Sequence, residues 1–231
     1  MLRAGEPVPA DAWQSRKARD LVKILLARRG APAARETLID QLWPDEPPAK
    51  CANRLSVALS TVRAVFDPER HFPPGHFVAA DKFSFVLRNI TLDFEVFLAA
   101  ARDAQAAYHR NDPDAVRMLV LAETLYTGDF LAEDRYEDWA VAVREQLKAK
   151  YLSLVRVLAR AAVHTGDYDS AETYALRALE RDAFDEQAHL TLVRALSAAG
   201  RHGQARQRYR AYVTKMCEID VVPAAFDHRT L

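Results

Sequence analysis

An interval of 34 residues recurs in the C-terminal part of the chain. Gly166 is followed by Gly200, Ala171 by Ala205, Ala175 by Tyr209 and Ala178 by Tyr212 at that spacing. This is the period of a tetratricopeptide helix pair, a unit that buries its apolar face only by stacking on the next one. The residue types suit the period: Gly166 and Gly200 turn one helix into the next, and the small Ala171 and Ala205 let paired helices approach closely. One position departs from the usual pattern, because RDAF after Leu179 places Ala183 where a helix-stopping proline is common.

Upstream, residues 93–127 read as a more divergent helix pair, broken at Asn111-Asp112-Pro113, with Leu119, Ala122 and Tyr126 continuing one helical face. The next segment, YTGDFLAEDRYEDW, is rich in turn residues, carboxylates and aromatics, and leads into a long helix from about Trp139 to His164. Its aromatics are expected to fill the seam between helix pairs. Near residue 90 this helical pattern gives way to short, aromatic-rich segments and prolines, so two domains are expected, 1–90 and 91–231.

Charge separates the two in the same place. The whole chain balances 32 Lys and Arg against 32 Asp and Glu, so no global field drives it onto nucleic acid or an anionic membrane. Residues 1–90 carry 14 basic against 10 acidic residues, and residues 91–231 carry 18 against 22, a basic head and an acidic body.

Within the head, Ala18, Leu21, Val22, Leu25 and Leu26 form an amphipathic stripe, with Ser15 as cap and Gly30 as stop. A second helix runs from about Arg35 to Leu42 and must end before Pro44, since proline disfavours a helical residue ahead of it. A third spans about Ala49 to Phe66, burying Leu55, Leu59, Val62 and Phe66. After Pro73 and Pro74, FVAADKFSFVLR reads as two strands around Asp81-Lys82, with Phe83, Phe85 and Leu87 on one face. Three helices followed by a hairpin is the order of a winged helix. The fold class is therefore mainly α, a winged helix-turn-helix followed by a tetratricopeptide-like repeat.

Several function classes lack their signatures. The seven glycines form neither GxGxxG nor a Gly-Lys-Ser/Thr phosphate loop, and GxSxG and HExxH are absent. Cys51 and Cys217 stand far apart without metal-ligand spacing. The expectation is a protein that is not an enzyme and uses no cofactor or metal. The opening MLRAGEPVPADAW has no apolar core of a signal peptide, and no run approaches the ~20 apolar residues of a spanning helix, so a cytoplasmic protein away from membranes is expected.

The head, from WQSRKARDLVKILLARRG through LWPDEPPAKCANRLSVALSTVRAVFD, resembles the OmpR-type winged-helix domains of the SARP (AfsR-like) group of regulators. The body resembles the bacterial transcriptional activation domain that accompanies it. The motifs carrying the likeness are LWPD, NRLSVALSTVRAVFD, TLDFEVF, YTGDFL, YEDWAVAVREQL and GDYDSAETYALRALERD, in that order over nearly the whole chain. In this group a small sheet usually precedes the first helix. Here only LRAGEPV is a candidate strand, which suggests a truncated piece and predicts that part of the stripe on the first helix is exposed.

With Leu55 inward, the third helix presents Lys50, Asn53, Val57, Ser60 and Ala64 outward, flanked by Arg54, Thr61 and Arg63. Spacing alone reads this equally as a solvated face or as a surface for the DNA major groove. The resemblance implies the second, with Arg54, Arg63 and Asn53 reading base edges, and Lys50, Ser60 and Thr61 on phosphates. Lys82 at the hairpin tip and Arg88 would then touch the neighbouring backbone or minor groove. The resemblance also implies that Asp45 and Glu46, on the proline-stiffened loop, contact RNA polymerase, and that the chain acts as a homodimer on promoter repeats in double-stranded DNA. Alternatives are a protein-binding adaptor without DNA contact, or a fragment of a larger multidomain regulator.

Overall fold

The computed structural model describes residues 2, 3, 5–13, 15–134 and 136–225. Ala4 in the candidate strand LRAGEPV, and Gln14 and Arg135 in the quoted motifs, lie outside the described residues. The chain divides into two compact units, Met1–Leu92 with Leu131–Val143, and Asp93–Phe130 with Arg144–Leu231.

The first unit opens with a minimal antiparallel pair, β1 (Leu2–Arg3) and β2 (Glu6–Pro7), and then forms α1 (Arg16–Ala27). Ser15 caps α1 by accepting the Ala18 N–H at 3.4 Å, and the chain leaves the helix through Arg29 and Gly30, both at positive φ. There follow β3 (Ala33–Ala34), α2 (Arg35–Leu42), α3 (Pro48–Phe66), β4 (Val78–Ala80) and β5 (Ser84–Leu87). The strands make one antiparallel sheet in the order β3-β5-β4, with Ala33 opposite Phe85 and Val78 opposite Leu87. Leu21, Leu25, Leu38, Leu42, Leu55, Val62 and Phe85 are completely buried in the core between them. Each contributes roughly 1.5–3 kcal/mol of transfer free energy, so the inward stripes of α1, α2 and α3 account for most of this unit's stability.

Three features differ from expectation. Strand β3 is too short for an alternation signal. Phe83 is 72% exposed, because the ladder begins at Ser84 and the Asp81 carboxylate ties Phe83 and Ser84 into the turn instead. The stripe on α1 is not exposed: Ala18, Leu21, Val22 and Leu25 are all buried. Its cover comes from far along the chain, since Leu131–Val143 belongs to this unit and Trp139, with Trp13, packs on the core. Lys23, buried on α1, donates to Glu133 at 2.9 Å and to Asp134 at 2.6 Å. Burial alone pushes its ammonium down, but the hydrogen bonds to Asp134 and Glu133 outweigh it and raise its pKa.

The second unit contains α4 (Asp93–His109), α5 (Ala115–Thr124), the greater part of α6 (Asp138–Thr165), α7 (Tyr168–Arg181), α8 (Glu186–Ala198) and α9 (His202–Glu218). The 34-residue period reappears as repeated geometry. Asp167 N–H donates to Ala162 O at 2.9 Å and Arg201 N–H to Leu196 O at 2.8 Å, around Gly166 and Gly200 at φ 77° and 74°. The divergent pair closes with the same bond, Asp112 N–H to Ala107 O at 3.0 Å, with Asn111 in the left-handed position.

The turn lacking proline is held by side chains. Asp185 accepts the Ala188 N–H at 3.0 Å and Arg156 Nε at 2.6 Å, while the buried His189 ring lies 3.0 Å from Ala183 O. The seam aromatics of this unit are Tyr126, stacked on Tyr151 at 4.3 Å and close to Phe97, and Phe130, edge-on to Phe94. Burial, with a hydrogen bond to Asp129, pushes the Tyr126 hydroxyl up to about 12. Tyr136, expected among the seam aromatics, is 97% exposed. The fold is mainly α, a winged helix-turn-helix followed by a tetratricopeptide-like repeat.

Candidate nucleic-acid interface

Helix α3 sorts its residues by face. Cys51, Leu55, Ala58, Leu59, Val62 and Val65 are buried, while Lys50, Asn53, Val57, Ser60 and Ala64 are exposed. Pro48 opens the helix in its first turn, where a missing N–H costs nothing. Val57 stands 58% exposed in the middle of this polar face, an apolar group with no intramolecular cover to explain it. Asn53, Arg54 and Val57 also border a cleft of about 300 Å³, together with Ser15, Lys17, Trp43 and Ala58.

The flanking cations are already engaged. Arg54 Nη1 donates to Glu46 Oε1 at 2.5 Å, so one ion pair takes up both an arginine of the face and an acid of the preceding loop. Asp45 is exposed. Arg63 is partly buried, its Nη2 donates to Val78 O at 2.9 Å, and burial lowers its pKa. It thereby ties α3 to the first strand of the hairpin, and its buried Nε finds no acceptor. Ser60 and Thr61 direct their hydroxyl protons back to Ser56 O and Val57 O.

The hairpin tip is organised by Asp81, whose carboxylate accepts from Phe83 N–H at 2.7 Å and Ser84 N–H at 2.6 Å; these bonds hold its pKa below the ordinary value. Lys82 is exposed beside it, 5.5 Å above the Phe83 ring. Arg88 is exposed at the far end of the hairpin, its backbone N–H donating to Phe77 O.

Sequence reading missed Arg35. Its guanidinium lies 4.9 Å over the Phe85 ring, donates to Asp81 O at 3.3 Å and to Ser56 Oγ at 3.4 Å, and so binds the start of α2 to both α3 and the hairpin. A signal was present: a cation in a helix's first turn opposes the helix dipole and needs a partner elsewhere. The arrangement is a rigid helix with one open polar face beside an anchored hairpin. Among the described residues no group of three or more His, Cys, Asp or Glu side chains is placed to hold a metal ion. No helix among them is long and apolar enough to cross a membrane.

A family model described as bacterial transcriptional activator domain matches residues 92–225. No curated protein matches the chain. Among solved structures, Mycobacterium tuberculosis EmbR in complex with a low-affinity phosphopeptide is similar, with a TM-score of 0.81 at 20% identity over 95% of this chain and 58% of that one. The likeness is one of fold, and this chain spans little more than half the length of that structure.

Proposed function

Because the chain belongs to the bacterial transcriptional activator domain family, we propose that it is a SARP-like regulator that binds double-stranded promoter DNA through α3 and recruits RNA polymerase. The observation carrying this reading is the open face of α3, where Lys50, Asn53, Val57, Ser60 and Ala64 stay uncovered over four turns while every inward position is filled. A helix of this kind enters the major groove.

On this reading Asn53 pairs with an adenine edge, Val57 meets a thymine methyl, and Lys50 and Ser60 reach phosphates. Arg54 gains a guanine edge by exchanging its exposed pair with Glu46, an exchange that costs little because solvent screens such a surface pair. That exchange also frees Glu46 to join Asp45 in meeting polymerase. Arg63 and Thr61 flank the groove, Arg63 chiefly as the anchor of the hairpin, while Lys82 and Arg88 hold the neighbouring backbone. Two copies acting as a homodimer on tandem half-sites would be spaced by the DNA turn, roughly 10–11 base pairs.

Selection of bound sequences from a random duplex pool, followed by a salt titration on the winner, tests the proposal. A repeated motif whose affinity falls steeply with salt supports it. Asn53→Ala is then expected to cost ~1–3 kcal/mol and relax preference at one base pair, and Lys50→Ala to weaken all sequences alike and reduce the salt slope by about 1. A folded protein with no enrichment at low salt sinks the proposal in favour of an adaptor.

A further inference from the structure

Helix α8 is buried along nearly its whole length. Between Thr191 and Ser197 the one exposed residue is Arg194. On α6, between Tyr151 and Ala162, the one fully exposed residue is Arg160. The two arginines stand one 34-residue repeat apart, so they occupy the same position on the first helices of two successive helix pairs. Those helices are neighbours: Arg156 of α6 pairs with Asp185 at the start of α8 at 2.6 Å, and Ala162 of α6 shares a buried cluster with Ala195 of α8.

Neither Arg160 nor Arg194 has a hydrogen bond or ion pair among the described residues, in contrast to Arg156, Arg177, Arg181 and Arg201 of the same unit, which all meet carboxylates. Their own helices are non-acidic around them. From Leu147 to Thr165, α6 carries no Asp or Glu, and α8 carries none from Gln187 to Ala198. His164 is exposed one turn beyond Arg160. Asp185, at the start of α8, is buried against Arg156. In a region with more acidic than basic residues, this is a cationic strip fixed on two rigid helices.

We infer that the open side of α6 and α8 binds an extended acidic peptide segment, with Arg160 and Arg194 each holding a carboxylate. Packed helices lie ~8–10 Å apart, and alternate side chains of an extended peptide are spaced by ~6.5–7 Å, so two carboxylates on one edge of such a segment reach both guanidiniums. The repeat makes the pair regular, and rigid helices remove part of the ordering cost of binding. A phosphate backbone offers the same charge but a wider, two-stranded surface that two cations one helix apart match poorly. This inference concerns a different surface from α3 and does not depend on DNA binding there.

The test uses the full chain and two fluorescein-labelled eight-residue peptides, one alternating aspartate with threonine and one alternating asparagine with threonine, read by fluorescence anisotropy. The acidic peptide is expected to bind in a salt-sensitive way and the amide peptide not to bind. Arg160→Ala and Arg194→Ala each weaken the acidic peptide about fivefold, as exposed ion pairs do. Arg160→Glu with Arg194→Glu abolishes binding without moving the thermal melt, since neither side chain has a partner to lose. Failure of the acidic peptide to bind the wild-type chain, equal binding of the amide peptide, or unchanged affinity in both alanine variants overturns the inference. So does displacement of the peptide by a random-sequence duplex whose own affinity falls in the same variants, which assigns the strip to phosphates.

Discussion

Two sets of arginines, one in each unit, behave in opposite ways. In the first, the arginines flanking the open face of α3 are drawn into the fold, Arg63 onto Val78 O and Arg54 onto Glu46. In the second, Arg160 and Arg194 project from buried stretches of α6 and α8 and have no hydrogen bond or ion pair among the described residues. The cause lies in what surrounds each helix. α3 is bordered by a proline-stiffened loop and a short hairpin, both of which expose carbonyls and carboxylates that attract a long cation. Arg160 and Arg194 sit on stretches of α6 and α8 that carry no carboxylate, so their guanidiniums keep their water, whereas Arg156, one turn before Arg160, reaches the buried Asp185. Charge on a helix face therefore signals a ligand more directly in a repeat than beside irregular chain.

The comparison is sharpest at the buried charges, one in each unit among the described residues. Asp185 is buried with two jobs, capping α8 and pairing with Arg156; Lys23 is buried with two carboxylates, one of them well exposed. Asp185→Ala is expected to destabilise the second unit by ~2–4 kcal/mol, through the lost cap and the uncompensated arginine. Lys23→Met, which keeps the packed stem, is expected to cost the first unit ~1–2 kcal/mol. All three tryptophans, Trp13, Trp43 and Trp139, lie in the first unit, so tryptophan fluorescence follows it selectively while circular dichroism is dominated by the helices of the second. A larger loss for Lys23→Met in urea titrations would reverse the ranking. The raised pKa of Lys23 sets its pH window: its contribution is full below the ordinary lysine value near 10.4 and is lost only as pH rises through the higher folded value.

A smaller effect separates an anchor from a base reader. Arg63→Ala removes one charge-assisted bond to the hairpin and is expected to lower the fluorescence-detected stability by ~1 kcal/mol, weakening DNA sequences to similar extents. Loss of preference at a single base pair with unchanged stability would make Arg63 a reader instead.

The repeat was legible because its signal is periodic: glycines at positive φ and alanines at close contacts recur at one interval, and each position repeats its physical job. The outward and inward faces of α3 were legible for the same reason. What periodicity does not carry is the partner of a long side chain. Arg63 and Arg54 had the right residue type on the right face, yet their engagement depends on where Val78 O and Glu46 arrive by separate chain segments. The cover of α1 was hidden more deeply. The residues that supply it, Trp139, Glu133 and Asp134, follow α1 by more than a hundred positions and read locally as a turn-rich acidic stretch between helix pairs. Strand β3 is two alanines, below the length at which alternation has meaning.

The mildest perturbation, acid, acts on a device that both units share. Asp81 closes the hairpin by accepting two backbone N–H groups, and Asp167 caps α7 by accepting from Ser170. Asp81 is held low chiefly by the Phe83 and Ser84 amides, and Asp167 by its side-chain and backbone hydrogen bonds to Ser170. A depressed carboxylate contributes stability in full above its unfolded value, near 3.9, and loses it as pH falls through the lower folded value. Both units should therefore weaken below about pH 4. Asp81→Asn is expected to flatten the acid limb seen by tryptophan fluorescence, and Asp167→Asn the limb seen by circular dichroism, because asparagine keeps an acceptor oxygen and does not titrate. An acid limb unchanged in either variant would mean that unit loses its stability through other carboxylates.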